Sequence, residues 1–119
     1  MTTPRLNLVV LRVLDLERCR LFYEALGVDL TQEQHGSGPV HLASDFGDLV
    51  LELYPATEKS PPTIGAQLGF DVDALDKSIA SAVDADGKVV SGPICGANPR
   101  RAILADPEGH RIHLSEVAD

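Results

Sequence analysis

Tryptophan is missing from this sequence, and aromatic residues together make up only 4% of it. A ligand site built on stacked indole rings is therefore excluded, and ring stacking of any kind has little to work with. Cysteine is scarce as well. Cys19 and Cys95 lie far apart and form no CxxC pair, which argues against a zinc ribbon or a disulfide framework and leaves two reduced thiols as the expectation. Positive charge is short too. Ten Lys and Arg stand against eighteen Asp and Glu, a formal net charge of −8, and the basic residues form no stripe along which a phosphate backbone could lie. Nucleic acid is thereby set aside as a partner. No apolar run approaches the roughly 20 residues of a membrane span, so no membrane insertion is expected. The opening MTTPRLNLVVLRV has no basic flank leading into a long apolar stretch with a small-residue cleavage site, so no secretory signal is expected and a cytoplasmic setting is the default.

What is present suits one ordinary domain. The 119 residues are 44% hydrophobic and 24% charged, enough to bury a core without staples. The acidic excess serves solubility, and it would also concentrate a cationic ligand.

The apolar pattern runs through two similar halves. Leu6 to Val13 reads as a strand, and Asp15 after it can cap a helix with Leu16, Cys19, Phe22 and Leu26 on one face, closed by Gly27. Strands are expected at Val28 to Gln34, Pro39 to Ser44 and Leu49 to Tyr54, separated by His-Gly-Ser-Gly and Asp-Phe-Gly-Asp turns. Residues 55–65 carry three prolines and read as a connector. The pattern then restarts with a strand at Ala66 to Val72. Asp73 is the expected cap of a helix carrying Leu75, Ile79, Ala82 and Val83, and strands follow at Lys88 to Ser91, Arg100 to Ala105 and His110 to Glu116. Asp106-Pro107-Glu108-Gly109 is a strong turn signal between the last two. The expectation is thus an α+β chain of two βαβββ modules, about 5–54 and 66–117, within a single domain 1–119.

The paired halves, the stretch from Val10 to Gly27 with its R-V-x-D-L-E-R and F-Y-E-A-L-G segments, and the closing D-P-E-G-H-R-I-H-L-S-E resemble the vicinal-oxygen-chelate superfamily of glyoxalases, bleomycin-resistance proteins and extradiol dioxygenases. The resemblance implies a curved, U-shaped mixed sheet with the helices outside and a small molecule in its concavity. It also implies a homodimer, in which both chains can complete a site. It does not choose a chemistry, since the superfamily holds lyases, epimerases, dioxygenases, transferases and non-catalytic binders.

Strand alternation selects the residues that face the cup. Leu49, Leu51 and Leu53 take the helix side, so Val50, Glu52 and Tyr54 take the other; Ile112 and Leu114 likewise leave Arg111, His113 and Ser115 for the cup. The first strand adds Leu8, Val10 and Arg12, and the fifth adds Gln67, Gly69 and Asp71. Leu8, Glu52, Gln67 and His113 stand at the places that resemble the ligand sites of metal-using relatives. Glu52, Gln67 and His113 offer donors for a divalent ion, nickel, zinc, manganese or iron(II), with Glu52 also a candidate base. Leu8 offers no lone pair, which leaves open that no metal is used. The bland alternatives are an ion pair of Glu52 with Arg12 or Arg111, and His113 as a plain hydrogen-bonding residue. Arg12, Tyr54 and Arg101 are candidate ligand contacts, with Arg100 beside Arg101 at the rim. Phe46 is a candidate for the pocket wall and Phe70 for the core. His35 and His41, beside turns, are expected to be solvated.

Two functions follow. One is a metal-assisted lyase or isomerase resembling lactoylglutathione lyase. The other is a non-catalytic sequestering protein of the bleomycin-resistance type. Whether the chain is an enzyme stays open at this stage. A dioxygenase is disfavoured, because its iron needs two His and a carboxylate and only one His stands at a converging position.

Overall fold

A computed structural model describes residues 3–94, 96 and 98–117, so the expectation for Cys95 falls outside it. The elements run β1 (Leu8–Val13), α1 (Leu16–Ala25), β2 (Thr31–Glu33), β3 (His41–Asp45), β4 (Val50–Pro55), β5 (Gln67–Val72), α2 (Leu75–Asp84), β6 (Lys88–Ser91), β7 (Arg101–Ala105) and β8 (Arg111–Glu116). The βαβββ order appears twice, as expected. It forms two four-stranded sheets, β1-β4-β3-β2 and β5-β8-β7-β6, each with its first and last strand parallel and its other pairs antiparallel.

The alternation that the sequence displays is the alternation the sheets use. Leu11, Val13, Leu51 and Leu53 are buried on the helix side of the first sheet, and Leu104, Ile112 and Leu114 on that of the second. Phe22, Tyr23, Leu75 and Ala82 from the helices join them in one apolar cluster that spans both modules. Burying such side chains, at about 1.5–3 kcal/mol each, is what holds the concave faces at a set geometry.

The helices differ in how they begin. Asp15 caps α1, accepting from the backbone N–H of Arg18 at 3.1 Å. Asp73 does not cap α2. The N-cap is Ala74, without a side-chain cap, and the Leu75 N–H is met instead by the Glu116 carboxylate of β8 at 2.9 Å. The orphan donor thus finds a tertiary partner, which relieves the local sequence of supplying one. Val83, expected on the apolar face, is 43% exposed, because Leu75 and Ala82 already carry the stripe that meets the core.

A buried polar network ties the modules together. Tyr23 of α1 donates its hydroxyl to Asp106 at 2.6 Å, the same carboxylate pairs with His110 Nδ1 at 2.8 Å, and His110 Nε2 lies 2.8 Å from the Thr63 hydroxyl of the connector. Glu108 adds a second tie, accepting from the backbone N–H groups of Leu14 and Asp15 at 2.7 and 2.6 Å.

Candidate functional site

The concave face of the first sheet is built in rows. The register aligns Arg12 with Tyr54 and Glu33 with His41, and the next row places Val10, Glu52, Ala43 and Thr31 side by side. In the first row Arg12 holds its guanidinium 4.7 Å from the Tyr54 ring centre, and the Tyr54 and His41 rings stack at 4.1 Å, 8° apart. Arg12 therefore spends its charge on an aromatic face and on the Pro55 carbonyl. Glu52 does not form the ion pair with Arg12 or Arg111 considered above; it lies instead beside His41, whose Nε2 is 3.7 Å from the carboxylate.

His41 is the main correction at this face. It was expected to be solvated, yet it is 1% exposed, walled by β2 on one side and the Tyr54 ring on the other. Its place beside a turn misled, because β3 is a central strand whose cup-facing side chains are covered by neighbours on both sides.

Below this row lies a concavity of about 450 Å³ lined by Asp29, Glu33, Asp45 and Glu52 together with Thr31 and Val50. All four of those ionisable side chains are acidic, and no Lys or Arg lines the space. A second concavity, about 320 Å³, lies on the other sheet and is lined by Ser91, Ile94, Arg101, Ile103, His113 and Ser115. Arg101 reaches this space, whereas Arg100 is held at the surface by Asp76 and Glu116. A larger hollow of about 490 Å³ between the end of α1 and the start of α2 is lined in part by Asp71, assigned to the cup by alternation, but by none of the candidate metal or ligand contacts.

The four inner positions are thus divided. Gln67 and His113 meet directly, with the ring Nε2 donating to the amide oxygen at 2.6 Å. Glu52 stands in a concavity lined by the first module alone, His113 in one lined by the second alone. Leu8 is 47% exposed on the β1 edge and supplies no donor. Phe46 lies at the joint of the sheets, its ring centre 6.0 Å from that of Phe70, which packs against the core as expected. Cys19 is buried beside Glu108, and burial and the nearby carboxylates push its thiol pKa far up, so it is no nucleophile.

A family model for the Glyoxalase/Bleomycin resistance protein/Dioxygenase superfamily matches residues 5–114. The chain belongs to this superfamily. A lactoylglutathione lyase of rice, Oryza sativa subsp. japonica, is 32% identical over 93% of the chain, which spans 44% of the rice protein's length. An uncharacterized protein of Mycolicibacterium smegmatis is 30% identical, with 94% of this chain and 93% of that one covered. Among solved structures, TnmS3, an antibiotic-binding protein from a Streptomyces species, is 28% identical with a TM-score of 0.74 over 99% of both chains. A glyoxalase/bleomycin resistance protein from Albidiferax ferrireducens has the same TM-score at 22% identity, covering 94% of this chain and 98% of that one. The superfamily fold and the two-module architecture expected from the sequence are thereby established.

The residues that sequence reasoning missed are Glu33 and His41, and with them the buried Asp106–His110 pair. The signal for the first was available: Glu33 and His41 flank a short turn symmetrically, and a two-residue strand period puts both on the cup face once the hairpin is registered.

Proposed function

We propose that this superfamily member binds small cationic organic molecules in its concave sheet face and holds them without converting them. The observation that carries this reading is the first concavity, whose four carboxylates have no Lys or Arg among them. A concave wall of one sign raises the local concentration of the opposite charge and favours its binding over neutral analogues, the half-buried Glu33 and Glu52 acting through less water than the exposed Asp29 and Asp45. The volume, about 450 Å³, falls in the range of small-molecule sites. Leu8, at a position where a metal-using relative would place a ligand, supports binding over metal chemistry, and the similarity to an antibiotic-binding protein is consistent with it. We further propose that two copies associate in the cytoplasm so that a second-module face with Arg101 and His113 lies over a first-module face with Glu52 and Tyr54. Each face then receives the wall it lacks.

Calorimetric titration with a panel of cationic antibiotics, bleomycin among them, and with uncharged compounds of similar size tests the reading. Micromolar binding of at least one cation is expected, weakened about tenfold by Glu52→Gln and by raised salt. Equal binding of charged and uncharged compounds, or no binding of any cation, would remove it.

A second reading, a lyase or isomerase, is favoured by the placement of Gln67 and His113 side by side, where an ion would replace the proton between them, and by the similarity to a lactoylglutathione lyase. Within one chain Glu52 is divided from Gln67 and His113, so the set of two oxygens and a nitrogen, which suits nickel, zinc, manganese or iron(II), would form only across two copies placed as proposed above, and Leu8 leaves it one donor short of four. When bound, such an ion polarises a substrate carbonyl. Glu52 would then take the substrate proton, and Arg101 would hold an anionic group. In this reading Leu8→His restores the fourth donor and tightens nickel or zinc binding at least tenfold by calorimetry; unchanged affinity would dismiss it.

A further inference from the structure

Away from the inner positions considered so far, the β2–β3 hairpin gathers a different set of donors. Glu33 and His41 are direct cross-strand partners, so their side chains leave the sheet on one face. His35, two residues beyond Glu33, folds back over them, its ring centre 5.1 Å from that of His41. One donor atom from each of Glu33, His35 and His41 lies within 4.8 Å of the other two.

The bonding around His41 gives this gathering a direction. Its Nδ1 lies 3.2 Å from the Pro39 carbonyl, and because a carbonyl only accepts, the proton sits on Nδ1. In the neutral ring Nε2 is then an acceptor, and the Tyr54 hydroxyl donates to it at 3.3 Å. Nε2 also faces Glu33 at 3.4 Å and Glu52 at 3.7 Å. Two carboxylates converge on a nitrogen that already accepts from Tyr54, and a cation shared between them would relieve this crowding of acceptors. Among the described residues no Lys or Arg forms an ion pair with either carboxylate.

The separations fit an ion shared among these groups. Two ligands each about 2.1 Å from a tetrahedral ion stand about 3.4 Å apart. The separations here are 3.4 Å for His41 to Glu33 and 3.7 Å for His35 to Glu33. The Nδ1 bond to a backbone carbonyl is also the arrangement that orients a metal-ligating imidazole.

We propose that Glu33, His35 and His41 form a binding site for a borderline divalent cation such as zinc, nickel or cobalt(II). Two imidazole nitrogens and one carboxylate oxygen match the preference of these ions and leave the fourth position to water. Glu52, which faces His41 alone of the three at ion-pair distance, accepts a hydrogen bond from that water. Leu8, Gln67 and His113 take no part. The site shares Glu33 with the concavity of the proposed function and draws on Glu52 through its water, but it does not depend on an organic ligand; Asp29 and Asp45 take no part in it.

The test is titration of the chelator-stripped full chain with zinc and cobalt(II), followed by calorimetry and by the visible cobalt spectrum. Expected are one ion per chain, micromolar or tighter binding, and an intense tetrahedral cobalt band. His35→Asn alters an exposed residue and is expected to weaken binding at least tenfold without loss of helical circular dichroism. Glu33→Gln should do the same, and the Gln67→Ala/His113→Ala double variant should leave affinity unchanged. Binding that survives His35→Asn and Glu33→Gln, binding lost only in the Gln67/His113 variant, or no binding by a folded chain would each overturn the site. The antibiotic panel, run on metal-free protein, reports separately on the proposed function.

Discussion

Replacing Asp106 by alanine is expected to cost about 3–5 kcal/mol of folding stability, the size associated with breaking a buried charge pair by removing one partner. The carboxylate is almost wholly inaccessible and accepts from the Tyr23 hydroxyl, from His110 Nδ1 and from the backbone N–H groups of Glu108 and His110. Without it, three elements lose their common anchor: α1 through Tyr23, the turn before β8, and the connector through His110 and Thr63. Burial works to raise the Asp106 pKa, but the bonds from His110 and Tyr23 together outweigh it and hold the group below its ordinary 3.8. The bond to Asp106 raises His110 above 6.5 against the effect of its own burial.

The pH dependence follows from these two directions. The His110 contribution is fully present below 6.5, its unfolded value, and is lost as pH rises through the raised folded value. The Asp106 contribution is present above 3.8 and is lost as pH falls through the lowered folded value. Stability from this pair is therefore greatest between the two unfolded values and declines on either side. Urea midpoints measured from pH 3 to pH 10 check this, with Tyr23→Phe as a milder variant expected to lose about 1–3 kcal/mol. A loss below about 1 kcal/mol in Asp106→Ala, or a pH profile parallel to that of the unmodified chain, would show that the network is not what joins the modules.

The second large effect is expected at the acidic wall. Glu52 lies at the centre of its row with only 16% of its side chain exposed, so a charge there acts through little water. At an effective dielectric of about 20, a unit charge about 6 Å away contributes nearly 3 kcal/mol, and Glu52→Lys reverses rather than removes the charge. After screening in an open concavity, a roughly 30- to 100-fold loss of affinity for a cationic ligand is expected, or about 2–2.7 kcal/mol. Titrations at low and high salt distinguish this from a steric effect: the gap between the two chains should narrow as salt rises. A loss of similar size for an uncharged ligand would mean that the lysine blocks the space instead.

Much of this molecule was readable from local pattern. The alternation of Leu51 and Leu53 with Glu52 and Tyr54 assigned sides correctly, as did that of Ile112 and Leu114 with His113. Asp15 capped the helix it was expected to cap, and Asp106 to Gly109 formed the turn between the last strands. Strand ends agreed at β6 and differed elsewhere by up to three residues, as at β2, which begins at Thr31 rather than Val28. There Val28 and Leu30 are apolar because they pack on the core, not because they pair in the sheet. The candidate site was half legible. Glu52 and His113 were placed on concave faces, but His41 was not recognised as buried, and the Glu33–His35–His41 gathering was not foreseen.

By itself, the sequence determined the two-module order, the face that each strand buries and the acidic balance, because these depend on residue spacing and side-chain chemistry alone. Only the tertiary structure decided which side chains meet across those faces. Strand register paired Glu33 with His41, sheet packing turned the Asp106–His110 turn toward Tyr23, and β8 delivered Glu116 to the start of α2. Each of these depends on how separate segments are brought together, and residue spacing within one strand or helix carries no information about its neighbour's register.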